Sequence, residues 1–195
     1  MTVTDAETIE TQTFDTEGYR IRVLYDAPSI ARRNAELARE IVAVAPKELV
    51  VIAILRGSFI FAADLLRAMH SEGLTPSVEF MQLASYHSGM SSSGQVTIVK
   101  DIDNDVAGRD VLLIDDILES GRTLAFAKDL LSARGAARVL CAVLVEKPGK
   151  RAVQFEADFV GFSSPDNFLV GYGMDVAHKF RQLPFVGIVE HADSA

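Results

Sequence analysis

The sequence predicts a doubly wound α/β fold, in which a mainly parallel sheet carries helices on both faces and terminal segments form a small cap, or hood. Apolar, strand-like runs alternate with segments of helical spacing along most of the 195 residues, as in α/β proteins. Several runs are apolar throughout, which is typical of strands covered on both faces. In the last third, short segments separated by polar residues suit a hood beside the main sheet.

The elements before the last third follow from two kinds of apolar pattern. Apolar runs predict strands at 21–25, 49–55, 78–83, 96–99, 111–114 and 139–145. Helical spacing predicts helices at 30–41, 59–69 and 123–134. The first of these helices has a possible cap at Ser29. The short segments 159–162 and 168–172 are assigned to the hood.

Two segments lack any apolar pattern. Residues 1–17 hold six Thr, five acidic residues and no Lys or Arg, a composition that cannot bury enough apolar surface to offset chain entropy. We expect a flexible acidic tail there, followed by a single domain over 18–195. Residues 86–95 are small and polar and are expected to form a mobile loop.

Composition limits where the protein works and what it binds. The apolar run 49–55 is far shorter than the roughly 20 residues that cross a bilayer. A secretory signal would begin with a positively charged segment, but no Lys or Arg precedes Arg20. We therefore expect a cytoplasmic protein without membrane contact. The 19 Lys and Arg against 27 Asp and Glu oppose nucleic-acid binding, whose affinity comes mainly from clustered Lys and Arg.

Cysteine and histidine are assigned no chemistry. Cys141 is the only cysteine and lies in the apolar run 139–143, so we expect it to be buried and inert. The four histidines lack the paired spacing of zinc ligands. They are His70, His87, His178 and His191.

A group of polar residues follows the apolar strand 111–114. It comprises Asp115, Asp116, Glu119, Ser120, Gly121 and Thr123. Ligands bind at the carboxyl edge of an α/β sheet, where helix-opening amides and a glycine turn can hold an anion. One phosphate would fit there. The adjacent carboxylates of Asp115 and Asp116, called here the acid pair, would contact ribose hydroxyls or a hydrated magnesium ion, which prefers oxygen ligands.

The alternative is an ordinary strand-turn-helix junction in which these polar groups only cap and solvate the helix. An isolated acidic pair would favour that interpretation. Here the apolar strand is followed by two adjacent acids, then a third acid, a Ser-Gly pair and a Thr. This combination favours a ligand site. A Walker sequence is absent, because Gly149-Lys150 has neither the earlier glycine nor the following hydroxyl residue.

The segment 111–124 resembles the phosphoribosyl pyrophosphate (PRPP) signature of type I phosphoribosyltransferases. The chain from about Tyr19 to Val189 resembles the hypoxanthine-guanine phosphoribosyltransferase family, which implies that family's core and purine-binding hood. The resemblance places Asp115 and Asp116 at ribose and magnesium. It places Glu119 as the general base facing purine nitrogen 7, where the family usually has Asp. It assigns the 5-phosphate to Ser120, Gly121, Arg122 and Thr123.

Other matches with the family are spread along the chain. Arg56 and Gly57 match the pyrophosphate loop, which usually carries Lys at the first position and a non-proline cis peptide before it. Arg can clamp phosphate oxygens in a bidentate way. Arg181 matches the pyrophosphate arginine, and Asp175 the second magnesium carboxylate. The residues that match the beginning of the mobile lid are Ser85 and Tyr86.

The remaining matches surround the base. Lys147 matches the lysine that donates to the 6-oxo group, Phe168 the aromatic wall and Leu169 a backbone contact, and Ile117 belongs to the same pocket. The resemblance therefore implies magnesium-dependent transfer of the phosphoribosyl group to hypoxanthine first and guanine second, yielding IMP or GMP and pyrophosphate. It also implies a homodimer or homotetramer.

Two alternatives stay open on the sequence. One is a regulator that keeps the PRPP loop and binds RNA, which the excess of acidic residues disfavours. The other is a transferase for a different base. Lys147 and the match around Phe168 disfavour adenine or a pyrimidine, and xanthine ranks below hypoxanthine and guanine.

Overall fold

The computed structural model describes residues 13–16, 18–85 and 96–191. It contains two sheets and three helices within those ranges. The strands are β1 Thr13–Thr16, β2 Tyr19–Tyr25, β3 Val50–Leu55, β4 Ser77–Ser85, β5 Val96–Lys100, β6 Asp110–Leu118, β7 Arg138–Glu146, β8 Phe159–Ser163, β9 Leu169–Val170 and β10 Val186–His191. The helices are α1 Ala27–Ala43, α2 Phe59–Ser71 and α3 Arg122–Ala133.

The main sheet has the strand order β5-β4-β3-β6-β7-β8. Its strands are parallel except β5, which runs antiparallel to β4. Side chains alternate between the faces of β3, so that Val51 and Ala53 pack with α1 and α2, whereas Val50 and Ile52 pack in the layer that contains α3. The predicted doubly wound α/β fold is confirmed.

The hood is a second, antiparallel sheet with the order β1-β2-β10-β9. It joins segments from both ends of the described chain, as predicted. Its own small core includes Ile21, Val170, Phe180 and Phe185. The loop after β9 reaches the carboxyl edge of the main sheet, where a Cβ atom on Gly173 would overlap the carbonyl oxygen of Gly57, just after β3. The hood is therefore held beside that edge.

Segment 159–162, which the sequence assigned to the hood, forms β8 and instead extends the main sheet beside β7. Phe159 is buried in the core, and the Phe162 ring stacks on Tyr25 at 4.1 Å. Arg33 of α1 donates hydrogen bonds to the carbonyl oxygens of Val160 and Gly161. The hood assignment was wrong for this segment because strand partners are set by distant residues.

The N-terminal boundary and the first helix cap also differ from expectation. Residues 13–16, predicted as tail, form β1, because Phe14 stacks on Phe185 at 5.2 Å while the strand pairs with β2. The cap of α1 is Asp26, whose Oδ1 accepts a 2.8 Å hydrogen bond from the Ser29 amide, so the Ser29 cap was wrong. The tail residues 1–12 and 17 lie outside the described residues.

Cys141 is fully buried on β7, as expected, and burial raises the pKa of its thiol to about 12. None of the helices in the described ranges combines the length and apolar character needed to span a bilayer.

Candidate active site

The polar segment after residue 114 is still part of a strand. β6 runs to Leu118, and its ladder with β7 continues through Asp115 opposite Val143 and Ile117 opposite Val145. The predicted end at Ile114 was therefore too early. Parallel pairing holds the acid pair rigidly at the sheet edge, where the sequence placed the ligand site.

The turn after β6 forms a cradle at the start of α3. Gly121 is the helix cap with φ of 80°, and a side chain there would meet Phe155 Cβ at 3.1 Å. Because glycine has no side chain to accept from the first amides of the helix, those groups can turn to an anion. The Ser120 hydroxyl accepts a 3.3 Å bond from the Arg122 amide.

A cavity of about 260 Å³ lies over this turn. Its lining includes predicted residues from both sides of the turn, namely Asp115, Asp116, Glu119, Ser120, Gly121 and Thr123. Arg122 begins α3 but is not part of the lining. The turn is thus open, and the acid pair faces the cavity.

The two adjacent carboxylates carry an electrostatic cost. Asp115 is 8% exposed, and burial together with the negative charge of Asp116 holds its pKa well above the usual range. Burial also raises the pKa of Asp116, although its side chain accepts a 2.9 Å bond from the Ile117 amide. A cation bound beside them would stabilise the ionised pair.

The predicted pyrophosphate loop follows β3 and touches Asp116. The peptide bond between Leu55 and Arg56 is cis, as the resemblance implied, and Arg56 is exposed. A Cβ atom on Gly57 would overlap the Asp116 carboxylate. A Cβ on Gly173 would in turn overlap the Gly57 carbonyl oxygen. Only glycine therefore permits these three segments to approach so closely.

Arg181 and Asp175 face each other in the hood loop. Their side chains form a 2.6 Å ion pair, and Arg181 also donates to the Gly173 carbonyl oxygen at 2.6 Å. Within the described ranges, no three or more His, Cys, Asp or Glu side chains gather as one metal cluster. The resemblance assigns Asp175 to a different ion from Asp115 and Asp116, so those metal roles stay predictions.

A second cavity, of about 450 Å³, opens between the sheet edge and the hood. It brings together every residue that the sequence predicted for the base. The lining residues are Asp116, Ile117, Glu119, Lys147, Asp166, Asn167, Phe168, Leu169, Met174 and Asp175. Phe168 is 56% exposed, which leaves its ring face free to stack on a planar ligand. Leu169 is buried in β9.

Lys147 and Glu119 form an ion pair across this second cavity. The distance from Lys147 Nζ to Glu119 Oε2 is 3.5 Å, and the lysine side chain is only 8% exposed. A donor and an acceptor thus point into the same space from neighbouring strand ends. A planar base that carries one acceptor and one donor can form hydrogen bonds with Lys147 and Glu119 at the same time.

Arg151 is a structural residue of the site that sequence reasoning missed. Its Nη1 donates to the carbonyl oxygens of Leu118, Glu119 and Lys147 at 2.9, 3.0 and 3.1 Å. It therefore holds the ends of β6 and β7 at a fixed spacing. No local sequence pattern predicts this role for Arg151, because a lone Arg in a loop is typical of a solvent-exposed surface charge.

The predicted lid lies mostly outside the described residues. β4 ends at Ser85, and Tyr86 with residues 87–95 is not described. The lid assignment stays a prediction.

Comparison with known proteins places this geometry in a family. The phosphoribosyl transferase domain family matches residues 22–177. The hypoxanthine-guanine phosphoribosyltransferase of Aquifex aeolicus (strain VF5) is 45% identical over 175 residues, which cover 89% of this chain and 97% of that protein. The hypoxanthine phosphoribosyltransferase of Escherichia coli (strain K12) is 40% identical over 174 residues, covering 88% and 96%.

The chain belongs to the hypoxanthine-guanine phosphoribosyltransferase family. A solved structure of Trypanosoma cruzi hypoxanthine phosphoribosyl transferase, studied for the role of its C-terminal region in oligomeric state and enzymatic activity, matches with a TM-score of 0.83 and 31% identity over 91% of this chain and 94% of that one. The protein is thus an enzyme of purine phosphoribosyl transfer.

In this phosphoribosyltransferase, the acid pair should lower the stability of the ligand-free fold. Because the pKa of Asp115 is higher folded than unfolded, its penalty is absent at low pH and develops as pH rises above the unfolded pKa of about 4. We expect Asp115→Asn to raise Tm by several degrees at pH 8 and to change it little at pH 4, as thermal unfolding would measure.

Asp110→Asn, at the other end of β6, is the matched control. Asp110 pairs with Arg138 at 2.7 Å, which lowers its pKa, so its stabilisation is present at neutral pH and lost as pH falls through the folded pKa. Its removal should lower Tm at pH 8. A lower Tm for Asp115→Asn as well would show that Asp115 stabilises the fold.

Proposed function

We propose that this chain is a magnesium-dependent, cytoplasmic phosphoribosyltransferase that converts hypoxanthine, and guanine as its second base, to IMP and GMP. One observation carries the proposal. The cavity over the helix-opening turn and the cavity beneath the hood share Asp116, Ile117 and Glu119 in their linings. A sugar phosphate in the first cavity and a purine in the second would meet at those residues.

The proposed reaction is displacement at the anomeric carbon of PRPP. The lone pair of purine nitrogen 9 forms the new bond to carbon as the bond to the pyrophosphate oxygen breaks, through a cation-like transition state as in glycoside chemistry. Arg56 and Arg181 offer positive charge to the departing pyrophosphate. Glu119 accepts the proton that the base loses at nitrogen 7.

The acid pair is the proposed place for magnesium. Asp115 and Asp116 supply hard oxygen ligands side by side, and burial raises the pKa of both carboxyl groups, a cost of ionisation that a bound cation would offset. Magnesium usually binds through one or two carboxylates and substrate phosphates, which fits this small set. When bound, it would neutralise negative charge on pyrophosphate. Asp175 is proposed for a second ion after it leaves its pair with Arg181.

The proposed base contacts use the two groups that now pair with each other. Lys147 would donate to the 6-oxo group, and Glu119 would turn to nitrogen 7. Because Glu119 is 46% exposed while Lys147 is 8% exposed, the acid is the freer of the two to move. Phe168 would stack on the purine ring, and Leu169 and Ile117 would line its edges.

The proposal includes a homodimer or homotetramer. Several large apolar side chains on the main sheet are exposed in the single chain, among them Val78 and Phe80 on β4 and Val99 on β5. Exposed apolar groups gathered in one region commonly mark a protein interface.

A PRPP-dependent assay with hypoxanthine, guanine, xanthine, adenine and uracil tests the proposal. We expect nucleotide to form fastest from hypoxanthine, then guanine, and activity to disappear when magnesium is chelated and to return when it is restored. Faster turnover of adenine or uracil, or activity without a divalent ion, would contradict the proposal. RNA retention on filters at physiological salt would instead support the regulator.

A further inference from the structure

Three polar side chains join the hood to the core away from both substrate cavities. Tyr172 of the hood loop donates from its hydroxyl to Asp64 Oδ2 of α2 at 2.6 Å. Asn34 of α1 donates from Nδ2 to the same hydroxyl at 2.9 Å. Asn34 and Tyr172 are 3% and 5% exposed. We call Asn34, Tyr172 and Asp64 the hood latch.

The direction of the hydrogen bonds in the hood latch is fixed. The Tyr172 hydroxyl has one hydrogen, which goes to the Asp64 carboxylate, so Asn34 can only donate to that oxygen. Asn34 Oδ1 is buried and without a hydrogen-bond partner among the described residues. Burying an unpaired acceptor costs free energy that an apolar residue would avoid, so packing alone does not explain an amide here.

The hood latch connects the two halves of the proposed pyrophosphate site. Asp64 lies on α2, which begins at Phe59 directly after the Arg56-Gly57 loop. Tyr172 is followed by Gly173, whose Cα lies so close to the Gly57 carbonyl oxygen that a Cβ could not fit. Each half of the site is thus tied to one member of the latch.

Gly173 is also bonded directly to the pyrophosphate arginine. Its amide donates to the Arg181 carbonyl oxygen at 2.9 Å, and its own carbonyl oxygen accepts from Arg181 Nη1 at 2.6 Å. A shift of Tyr172 would therefore move Gly173 relative to Gly57 and carry Arg181 with it. Misplacement of a clamp by about 1 Å is enough to cost a large factor in rate.

We infer that the hood latch is a positioning group that sets the distance between Arg181 and the pyrophosphate loop, and hence the affinity for the pyrophosphate end of PRPP. This inference rests on the proposed function. The proposed phosphate site is the turn between β6 and α3, called here the phosphate turn, and the proposed purine site is the second cavity, called here the base cavity. None of the three latch residues lines either one, so the effect of the latch should be confined to ligands that carry pyrophosphate.

Tyr172→Phe tests this inference, because it keeps the ring and removes both hydrogen bonds. We expect the KM for PRPP and the inhibition constant of pyrophosphate to rise about tenfold, in line with the loss of a hydrogen bond to a charged group. The dissociation constant of IMP, which fills the phosphate turn and base cavity alone, should change less than about twofold.

Tyr25→Phe is the matched control. The Tyr25 hydroxyl donates to the Ser163 carbonyl oxygen at 2.8 Å, so this variant also loses a tyrosine hydrogen bond between the hood strand β2 and the main sheet. All three constants should stay near those of the parent. If Tyr172→Phe does not fold, Asn34→Leu, which removes one donor from the hood latch, should raise the two pyrophosphate constants about twofold to threefold.

The outcomes separate the inference from the proposed function. Unchanged pyrophosphate and PRPP constants in a folded variant, or an equal loss of IMP affinity, would overturn the positioning role while the parent remained an active transferase. A parent that neither binds PRPP nor forms nucleotide would overturn the proposed function, and with it this inference.

Discussion

Glu119→Gln is expected to lower the turnover number about 100- to 10,000-fold, the usual contribution of a general base, while PRPP still binds. The substitution keeps the length and shape of the side chain but removes its ability to accept a proton. Glu119 lines both cavities, so it lies where the base must lose a proton as the new bond forms. Steady-state kinetics and direct titration with PRPP would measure the two effects.

The ion pair of Glu119 with Lys147 does not confuse this test. Gln keeps the size of the side chain, and its amide oxygen can still accept a hydrogen bond from the buried Lys147 Nζ, which lies 3.5 Å from Glu119 Oε2, so the fold should be retained. Glu156→Gln, an exposed acid outside the two cavities, is a control of the same chemical change and should keep full turnover. An unchanged turnover number for Glu119→Gln would remove this residue from the base role.

Glu119→Asp is the informative companion variant. The family usually has Asp at this position, and the longer side chain of Glu reaches Lys147 at 3.5 Å. If proton acceptance is what matters, Asp should keep most of the turnover that Gln loses. The comparison thus separates loss of the carboxylate from loss of reach.

Local sequence was sufficient to predict an open, polar turn between β6 and α3. The apolar run ending in Asp115 and Asp116, followed by Ser120 and Gly121, lies within one strand, turn and helix, and neighbours along the chain remain neighbours in space. The strand end was misplaced because a strand was taken to stop where its side chains become polar. The ladder with β7 continues beyond that point.

Contacts between distant segments escaped sequence reasoning. Residues 159–163 joined the main sheet, and 13–16 joined the hood, because their partners lie far away along the chain. Arg151 and Asn34 were missed for the same reason, since each acts on backbone or hydroxyl groups of other elements. Lys147 and Phe168 were assigned to the base only through resemblance, because Lys147 alone is typical of a surface charge and Phe168 alone is typical of a core residue.

Lys147 is expected to make the enzyme prefer hypoxanthine over adenine by a factor of about 10,000 in kcat/KM. A buried lysine can only donate, and it meets an acceptor at the 6-oxo group but another donor at a 6-amino group. The mismatch leaves two buried polar groups unsatisfied, and sites built this way reject the wrong analogue by about 10,000-fold or more. Since Lys147 is 8% exposed, water cannot readily relieve the mismatch.

Lys147→Met should lower this preference by a factor of about 100 or more, because it keeps an unbranched side chain of similar length without a donor. We expect kcat/KM for hypoxanthine to fall by a factor of about 100, the value of a hydrogen bond from a charged group in a buried site, while adenine gains or stays level. Lys150→Met is the neighbouring control: Lys150 is exposed and pairs with Asp166 at 2.5 Å, and its loss should leave the ratio of the two bases unchanged. Both bases supplied in competition would give that ratio directly, and comparable use of adenine and hypoxanthine by the parent would show that Lys147 does not read the 6-position.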